Sequence, residues 1–533
     1  MQRASDLLFG FSIYAEPTKG KIIEKAFSAM DELSKLGVAG QPLWQPQTND
    51  RFDTLNHIEY LRQFGQADTT LREIVKLIEI GEPQIELPSF DLYQTDHPTS
   101  KATPRAALQI EASRDMATIN MSPTNIVELL MDMNQWWSAF YNIVSKAKIL
   151  GTMFDGMEGG YDGKLHVMSA ELHLPTAVIP TRECYFGRYC KQLSHDKWGI
   201  VDVSLEKFFP SPTSNFLKRP SGCLITAMPN GCSEVIWVEH VEADHSQLDD
   251  RFKQLVTSGL AFGATRWLAS LVRYSEWRQV LNASAFIADD GVHIPQTGRT
   301  SFLKLADRMM RSFCANISAS PSNPWMQIAT FPGSTDVRVM IMNDAADPEK
   351  SLGTTVVFTT TLWLQVSPDR LFNYLRHVNS RSKWDVLSRR LCIREFAAII
   401  KGENSRNRVS LMSANTTKGK IEIFYLQESC TNSTGSYVIY APLDELTLSA
   451  LASGCDPGKV VILPSGFSIL PGGLEGGTGS FLTIAFNIVE NAINRAFIPP
   501  ESIETIYKVI TDTVTSIKDG VRYHNLHNNW MDD

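Results

Sequence analysis

With 533 residues, 43% of them hydrophobic and 20% charged, the chain is too long for one core and should form two or three globular domains. That composition excludes wholesale disorder. A net charge of −8, a pI near 5.8 and the absence of any run of four Lys/Arg argue against a surface that grips nucleic acid unaided.

Residues 7–15 imitate the apolar core of a signal peptide, but only Arg3 precedes them and Asp6 abuts the run, so secretion is not expected. Apolar positions Ile23, Ala26, Phe27, Met30, Leu33 and Leu36 mark one face of a helix over 22–36, stopped by Gly37. Residues 71–80 read as a second helix, and residues 83–106, rich in Pro, Thr and Asp, as a connector. Residues 117–121 read as a strand. Ser122 and Pro123 then cap a helix over 124–133. Strands are expected at 163–173, 182–191, 197–207, 222–228 and 233–243. A long helix over 248–281 carries Phe252, Leu255, Leu260, Phe262, Trp267 and Leu271. Gly259 and Gly263 interrupt it, each at about 1 kcal/mol, which calls for close packing against a sheet or ligand, or for a surface kink.

After a linker the plan repeats. Ser122-Pro123 with Ile126, Val127, Leu130, Met133 and Asn134 match Ser367-Pro368 with Leu371, Phe372, Leu375, Val378 and Asn379 without a gap. A tryptophan follows each, Trp137 and Trp384. Pro220-Ser221-Gly222 matches Pro464-Ser465-Gly466, and a closing helix is expected at 502–518. Two copies of one α+β fold follow: a curved antiparallel sheet wrapped on a long C-terminal helix. The expected divisions are a disordered or linker segment at 1–20, a first domain at 21–285, a linker at 286–300 and a second domain at 301–533. Between such a sheet and helix lies either an apolar ligand gap or a filled core.

Eight cysteines form no CxxC pair and no His stands at zinc spacing beside them, so reduced thiols and no metal site are expected. No HExxH, GxSxG, phosphate loop or dinucleotide fingerprint occurs, so neither catalysis nor a cofactor is expected. Gly472–Gly479 lacks the Lys-Ser/Thr of a phosphate loop and reads as a turn. The densest basic stretch, Arg376 to Arg394, reads as a solvated face. No window of about 18 consecutive apolar residues occurs, so no membrane-spanning helix is expected.

The segments Glu111–Asp115, Asn125–Glu128, Asn134-Gln135-Trp136, Pro180–Glu183, Arg188–Gln192, Val201–Leu205, Arg219–Ile225, Trp237–Val241 and Ser258–Ala264 resemble the START domain of plant class IV homeodomain–leucine zipper proteins. Asn379–Asp385, Leu426–Cys430, Ser436–Pro442 and Leu463–Phe467 resemble the START-adjacent domain of the same family. The resemblance runs from about residue 22 to the end. It implies tandem helix-grip folds, with one lipid-like ligand (a sterol, phospholipid or fatty acyl chain) in the first. It also implies nuclear residence, with the cytoplasm as the alternative, and a protein partner of the same family. In that family a homeodomain and zipper precede START. No WFQN-type recognition helix or heptad run occurs in this sequence, so DNA is expected to be reached only in a longer form or through a partner. A ligand-sensing regulator is the expected function. A lipid carrier, or a partner that titrates full-length relatives, is the alternative.

The resemblance further implies an arginine–acid pair near residue 182 and a buried arginine facing the cavity. Arg182 and Arg188 fall on one side of their strand because their separation is even, and Glu183 adjoins them. Trp137 and Trp237 are candidates for the cavity wall. Leu260, Phe262, Gly263 and Trp267 on the closing helix are candidates for its lid or floor.

Overall fold

A computed structural model describes residues 14, 16–46, 53–64, 108–157, 160–205, 216–283, 294–328, 335–342, 354–416, 422–472, 479–490 and 500–526. The expected helix at 71–80 and the connector at 83–106 lie outside them. The chain divides into two compact units. The first comprises the chain up to Leu172 plus Arg182–Val272, and the second comprises His173–Thr181 and Arg273 onward.

In the first unit helix α1 (Glu16–Val38) is followed by β1 (Trp44–Pro46), β2 (Asp53–Leu55) and α2 (His57–Phe64). Strand β3 (Gln109–Ile119) leads to α3 (Pro123–Met131), α4 (Met133–Ala139), β4 (Val144–Phe154) and β5 (Leu165–Leu172). Then come β6 (Arg182–Ser194), β7 (Lys197–Ser204), β8 (Phe216–Lys218), β9 (Ser221–Ala227), β10 (Ser233–Ala243), α5 (Asp250–Thr257) and α6 (Ala264–Asn282), the last of which passes into the second unit at Arg273. The sheet runs β1-β2-β3-β10-β9-β7-β6-β5-β4, with β8 pairing β10.

Alternation along β6 and β7 gives this sheet two buried faces. Val201, Val203 and Tyr189 pack with Ile22, Ala26, Met30 and Leu33 of α1. Arg188, Asp202 and Phe186 point the other way, toward α3, α4 and α6. Gly199 lets α1 approach β7 closely, for a Cβ there would stand 2.7 Å from the Met30 sulfur. Helix α1 begins within residues expected to be a linker, at Glu16.

The second unit contains α7 (Gln296–Asn316), β11 (Met326–Gln327), β12 (Arg338–Met342), β13 (Thr354–Leu364), α8 (Pro368–Arg376) and α9 (Val378–Trp384). Strands β14 (Leu391–Ile400), β15 (Arg408–Thr416), β16 (Glu422–Asn432) and β17 (Gly435–Leu443) follow. Helix α10 (Glu445–Ala452), β18 (Ser465–Pro471), β19 (Ser480–Glu490) and α11 (Pro500–Leu526) complete it. Its sheet order, β11-β12-β13-β19-β18-β17-β16-β15-β14, repeats that of the first unit, β8 aside. Phe358, Leu371, Phe372, Trp384, Phe467, Ile510 and Ile517 form its core.

Further expectations need correction. The helix expected at 124–133 is two helices, because Asp132 ends α3 and its carboxylate caps α4 through the Gln135 amide. The helix expected at 248–281 is also two. Gly259 has φ +79° and turns the chain there, a conformation that favours glycine. At Gly263 a Cβ would collide with the Ser113 hydroxyl of β3, and the same hydroxyl accepts from the Ala264 amide at 2.9 Å. The glycine pair thus makes an elbow packed against the sheet. Finally, the linker expected up to residue 300 ends sooner, where α7 starts at Gln296.

Candidate functional site

Sheet alternation collects an ionic cluster on the inward face of the first unit. Arg188 on β6 lies directly opposite Asp202 on β7. Its Nε and Nη2 donate to the two Asp202 oxygens, both at 2.8 Å, and Nη1 donates to the Leu130 carbonyl at 2.8 Å. The Lys218 Nζ, on β8, lies 3.7 Å from Asp202 and 3.4 Å from Glu239. Glu239 also accepts from the Trp237 indole at 3.1 Å. All four charged side chains are buried. Two cations facing two anions avoid the cost of an unpaired buried charge. Burial alone would depress the Lys218 ammonium, but Glu239 and Asp202 outweigh it and hold its pKa above the ordinary range.

Three tryptophans stack against this cluster. The Trp267 ring lies parallel to Trp237 at 5.3 Å and to Trp136 at 6.1 Å. The Arg188 guanidinium sits 4.0 Å over Trp136, a cation–π contact out of water. The indole N–H groups of Trp136 and Trp267 are buried and meet no acceptor among the described residues, although buried donors are rarely left unmatched.

A second cluster adjoins the elbow. Arg182 forks onto Glu111, with Nη1 to Oε2 at 2.9 Å, and His245 Nε2 lies 2.7 Å from the same carboxylate. Burial opposes ionisation of Glu111, but Arg182 and His245 prevail and hold its pKa below the ordinary carboxyl range. The Arg182 guanidinium also covers the Phe262 ring at 4.1 Å. Between the two clusters a crevice of about 20 Å³ is lined by Glu111, Ser113, Glu239, Val241, Phe262 and Gly263, among others. It has room for about one or two waters.

Of the residues singled out by sequence, Arg182, Arg188, Trp237, Phe262, Gly263 and Trp267 gather here, and Leu260 sits half-buried in the elbow. Glu183 does not. It points to the opposite, exposed side of β6, as an odd separation requires, and Glu111 takes the place expected of it beside Arg182. Trp137 is 43% exposed and donates to the Ser145 carbonyl; the inward tryptophan is its neighbour Trp136. Sequence reasoning missed Glu111, Asp202, Lys218 and Glu239. For Glu239 a signal existed, since it shares strand parity with Trp237.

These elements define a class: a START-type helix-grip domain followed by a second domain of like topology. Residues 89–277 match the START domain model, and residues 295–522 match the model of the PDF2-like C-terminal domain. Homeobox-leucine zipper protein ANTHOCYANINLESS 2 of Arabidopsis thaliana is 35% identical over 94% of this chain and 60% of its own length. Homeobox-leucine zipper protein HDG3 of Arabidopsis thaliana is 36% identical over 94% and 65%. Homeobox-leucine zipper protein ROC8 of Oryza sativa subsp. japonica is 34% identical over 93% and 69%. The chain therefore belongs to the class IV homeodomain–leucine zipper family, and it spans 60%, 65% and 69% of the length of these relatives.

Proposed function

We propose that the first unit is a ligand-sensing module that binds one lipid-like molecule, and that the chain regulates transcription in the nucleus through a protein partner of its own family. The observation that carries this reading is the pair of buried, unmatched indole donors, Trp136 and Trp267, in the aromatic stack on the inward face of a START fold. A ligand oxygen would satisfy such donors, and the surrounding aromatic rings suit a sterol, phospholipid or fatty acyl body. At about 20 Å³ the crevice admits a lipid only if the elbow moves, and the turn at Gly259 is where the chain would bend. Binding would stabilise the folded unit by mass action, about 2.7 kcal/mol at a hundredfold excess over Kd, and so couple ligand supply to abundance or partner binding. No residue in this reading performs catalysis.

Native mass spectrometry of the purified chain, followed by lipid extraction, tests it. One stoichiometric lipid adduct is expected, and it should be lost when Val241→Phe fills the crevice while the melting profile shows a folded chain. A folded chain that stays empty when offered lipids, or an adduct indifferent to Val241→Phe, would overturn the reading.

A further inference from the structure

The two units share a backbone plan but carry opposite charge at one corner. In the first unit the junction of α3 and α4 holds Glu128 and Asp132, and both push the Tyr161 hydroxyl pKa upward after burial has raised it. The matching junction of α8 and α9 holds Asn373 and His377, with Arg376 between them, and the loop from β14 to β15 adds Arg406 and the start of β15 adds Arg408.

The side chains there are only partly matched. Arg408 reaches Glu395 at 3.1 Å, both partly buried, and donates through Nε to the Ser405 carbonyl at 2.9 Å; Arg406 reaches Asp369 at 3.0 Å, a carboxylate 71% exposed, and donates through Nε to Asn404 at 3.3 Å. Arg376 donates through Nε to Asn373 at 2.9 Å. No hydrogen bond or ion pair is found for its two terminal nitrogens among the described residues, which leaves four N–H donors unspent. Its own carbonyl accepts from Gln427 at 3.0 Å, which anchors the backbone, and its guanidinium lies 5.9 Å from the Phe372 ring. Three guanidiniums against two carboxylates leave one positive charge in excess at a half-buried site. Burial, then Arg408 and Arg406, push the Arg376 pKa down to about 10. Burial, then Arg376 and Arg408, depress His377. Like charges gathered at a half-buried site repel one another unless an anion joins them.

We infer that Arg376, His377, Arg406 and Arg408 form an anion site for a phosphoryl group, either free phosphate or a lipid headgroup. The guanidinium fork matches a tetrahedral oxyanion in two-point contact, and a phosphoryl group carries roughly −1.5 to −2 charges near neutral pH, which answers the excess. The site is independent of the ligand reading of the first unit.

Calorimetric titration of the full chain with inorganic phosphate, with the His377 ring followed by NMR, tests the assignment. Saturable binding that perturbs His377 is expected. Binding should weaken about tenfold in Arg376→Gln and in the more exposed Arg406→Gln, because each substitution removes charge-assisted bonds. Melting curves establish that both variants fold. In a second arm, phosphatidylcholine vesicles are offered with and without phosphatidic acid. Capture that needs phosphatidic acid and is displaced by inorganic phosphate assigns the site to a headgroup; phosphate binding without capture assigns it to a free anion. No binding in either arm, or binding unchanged in both folded variants, would overturn the proposal.

Discussion

The interiors of the two units differ where their backbones agree. Gly222 pairs with Val201, and Gly466 with Ile439, so the strands align residue by residue. Asp202 then matches Tyr440, and Arg188 matches Gln427, because each forms the facing pair of its ladder. The guanidinium that the first unit places on a strand comes in the second from α9. There Arg381 stands where the ungapped repeat puts Trp136, and it donates to Gln427 and Asp385, each at 3.2 Å. Its cation lies 4.0 Å over Tyr440. In the row holding Glu239 the second unit has Phe486. A helix-grip backbone therefore tolerates either a four-charge interior beneath stacked tryptophans or one arginine–aspartate pair boxed by aromatics. The contrast shows that topology sets where inward positions lie and side-chain chemistry sets what they bind.

The largest effects should come from the feature the units share. Gly222 and Gly466 have φ of +141° and +155°, and a Cβ at either would collide with a carbonyl of the neighbouring strand, that of Ile200 or Val438. Gly222→Val and Gly466→Val should each cost about 4 kcal/mol or more. Peptide-resolved hydrogen exchange should show protection lost in the unit that carries the change; loss confined to the other unit would break the equivalence.

The next effect separates the units. Asp202→Ala strands the buried Arg188 guanidinium and leaves Lys218 with Glu239 alone, and should cost about 3–5 kcal/mol. Gln427→Ala at the matching position removes neutral acceptor and donor groups and should cost about 1–2 kcal/mol. Equal losses in urea melts would contradict the assignment of distinct interiors.

A smaller contrast concerns pH. His57, His166 and His240 in the first unit are depressed by burial, His166 to about 4, whereas in the second unit His377 is the comparable case among the described residues. Each is neutral when folded and takes up a proton on unfolding below its ordinary pKa of 6.5. Their contribution is complete above that pH and is lost as pH falls toward the folded value. From pH 7 to 5 the first unit should lose more stability than the second. Exchange protection followed across that range checks the sign.

The smallest expected effect is Trp137→Ala, under about 1 kcal/mol at so exposed a site. Trp136→Ala, one residue away, should cost about 3–5 kcal/mol. Reversal of that order in thermal melts would mean that the inward tryptophan is misassigned.

Much of this was legible locally. The Ser-Pro caps, the strand alternation of β6 to β10 and the duplicated Pro-Ser-Gly all act through neighbours a few residues apart, so periodicity reveals them. The sequence also marked Gly259 and Gly263 as anomalous but left packing and kink undecided. Strand β4 went unread because a sheet edge, largely half-buried along its length, has no clean alternation. The pairing of Arg182 with Glu111 was out of reach, since the two stand 71 positions apart and only sheet order brings β3 and β6 under one elbow.

By itself, then, the amino-acid sequence determined the class of fold, its duplication and the side of each strand that faces inward, because these rest on short-range sterics and periodic burial. Tertiary structure alone decided which charges meet. Arg188 joins Asp202, Lys218 joins Glu239, and Arg376 keeps its terminal donors, since ion pairing depends on distances across strands and helices that no local pattern encodes.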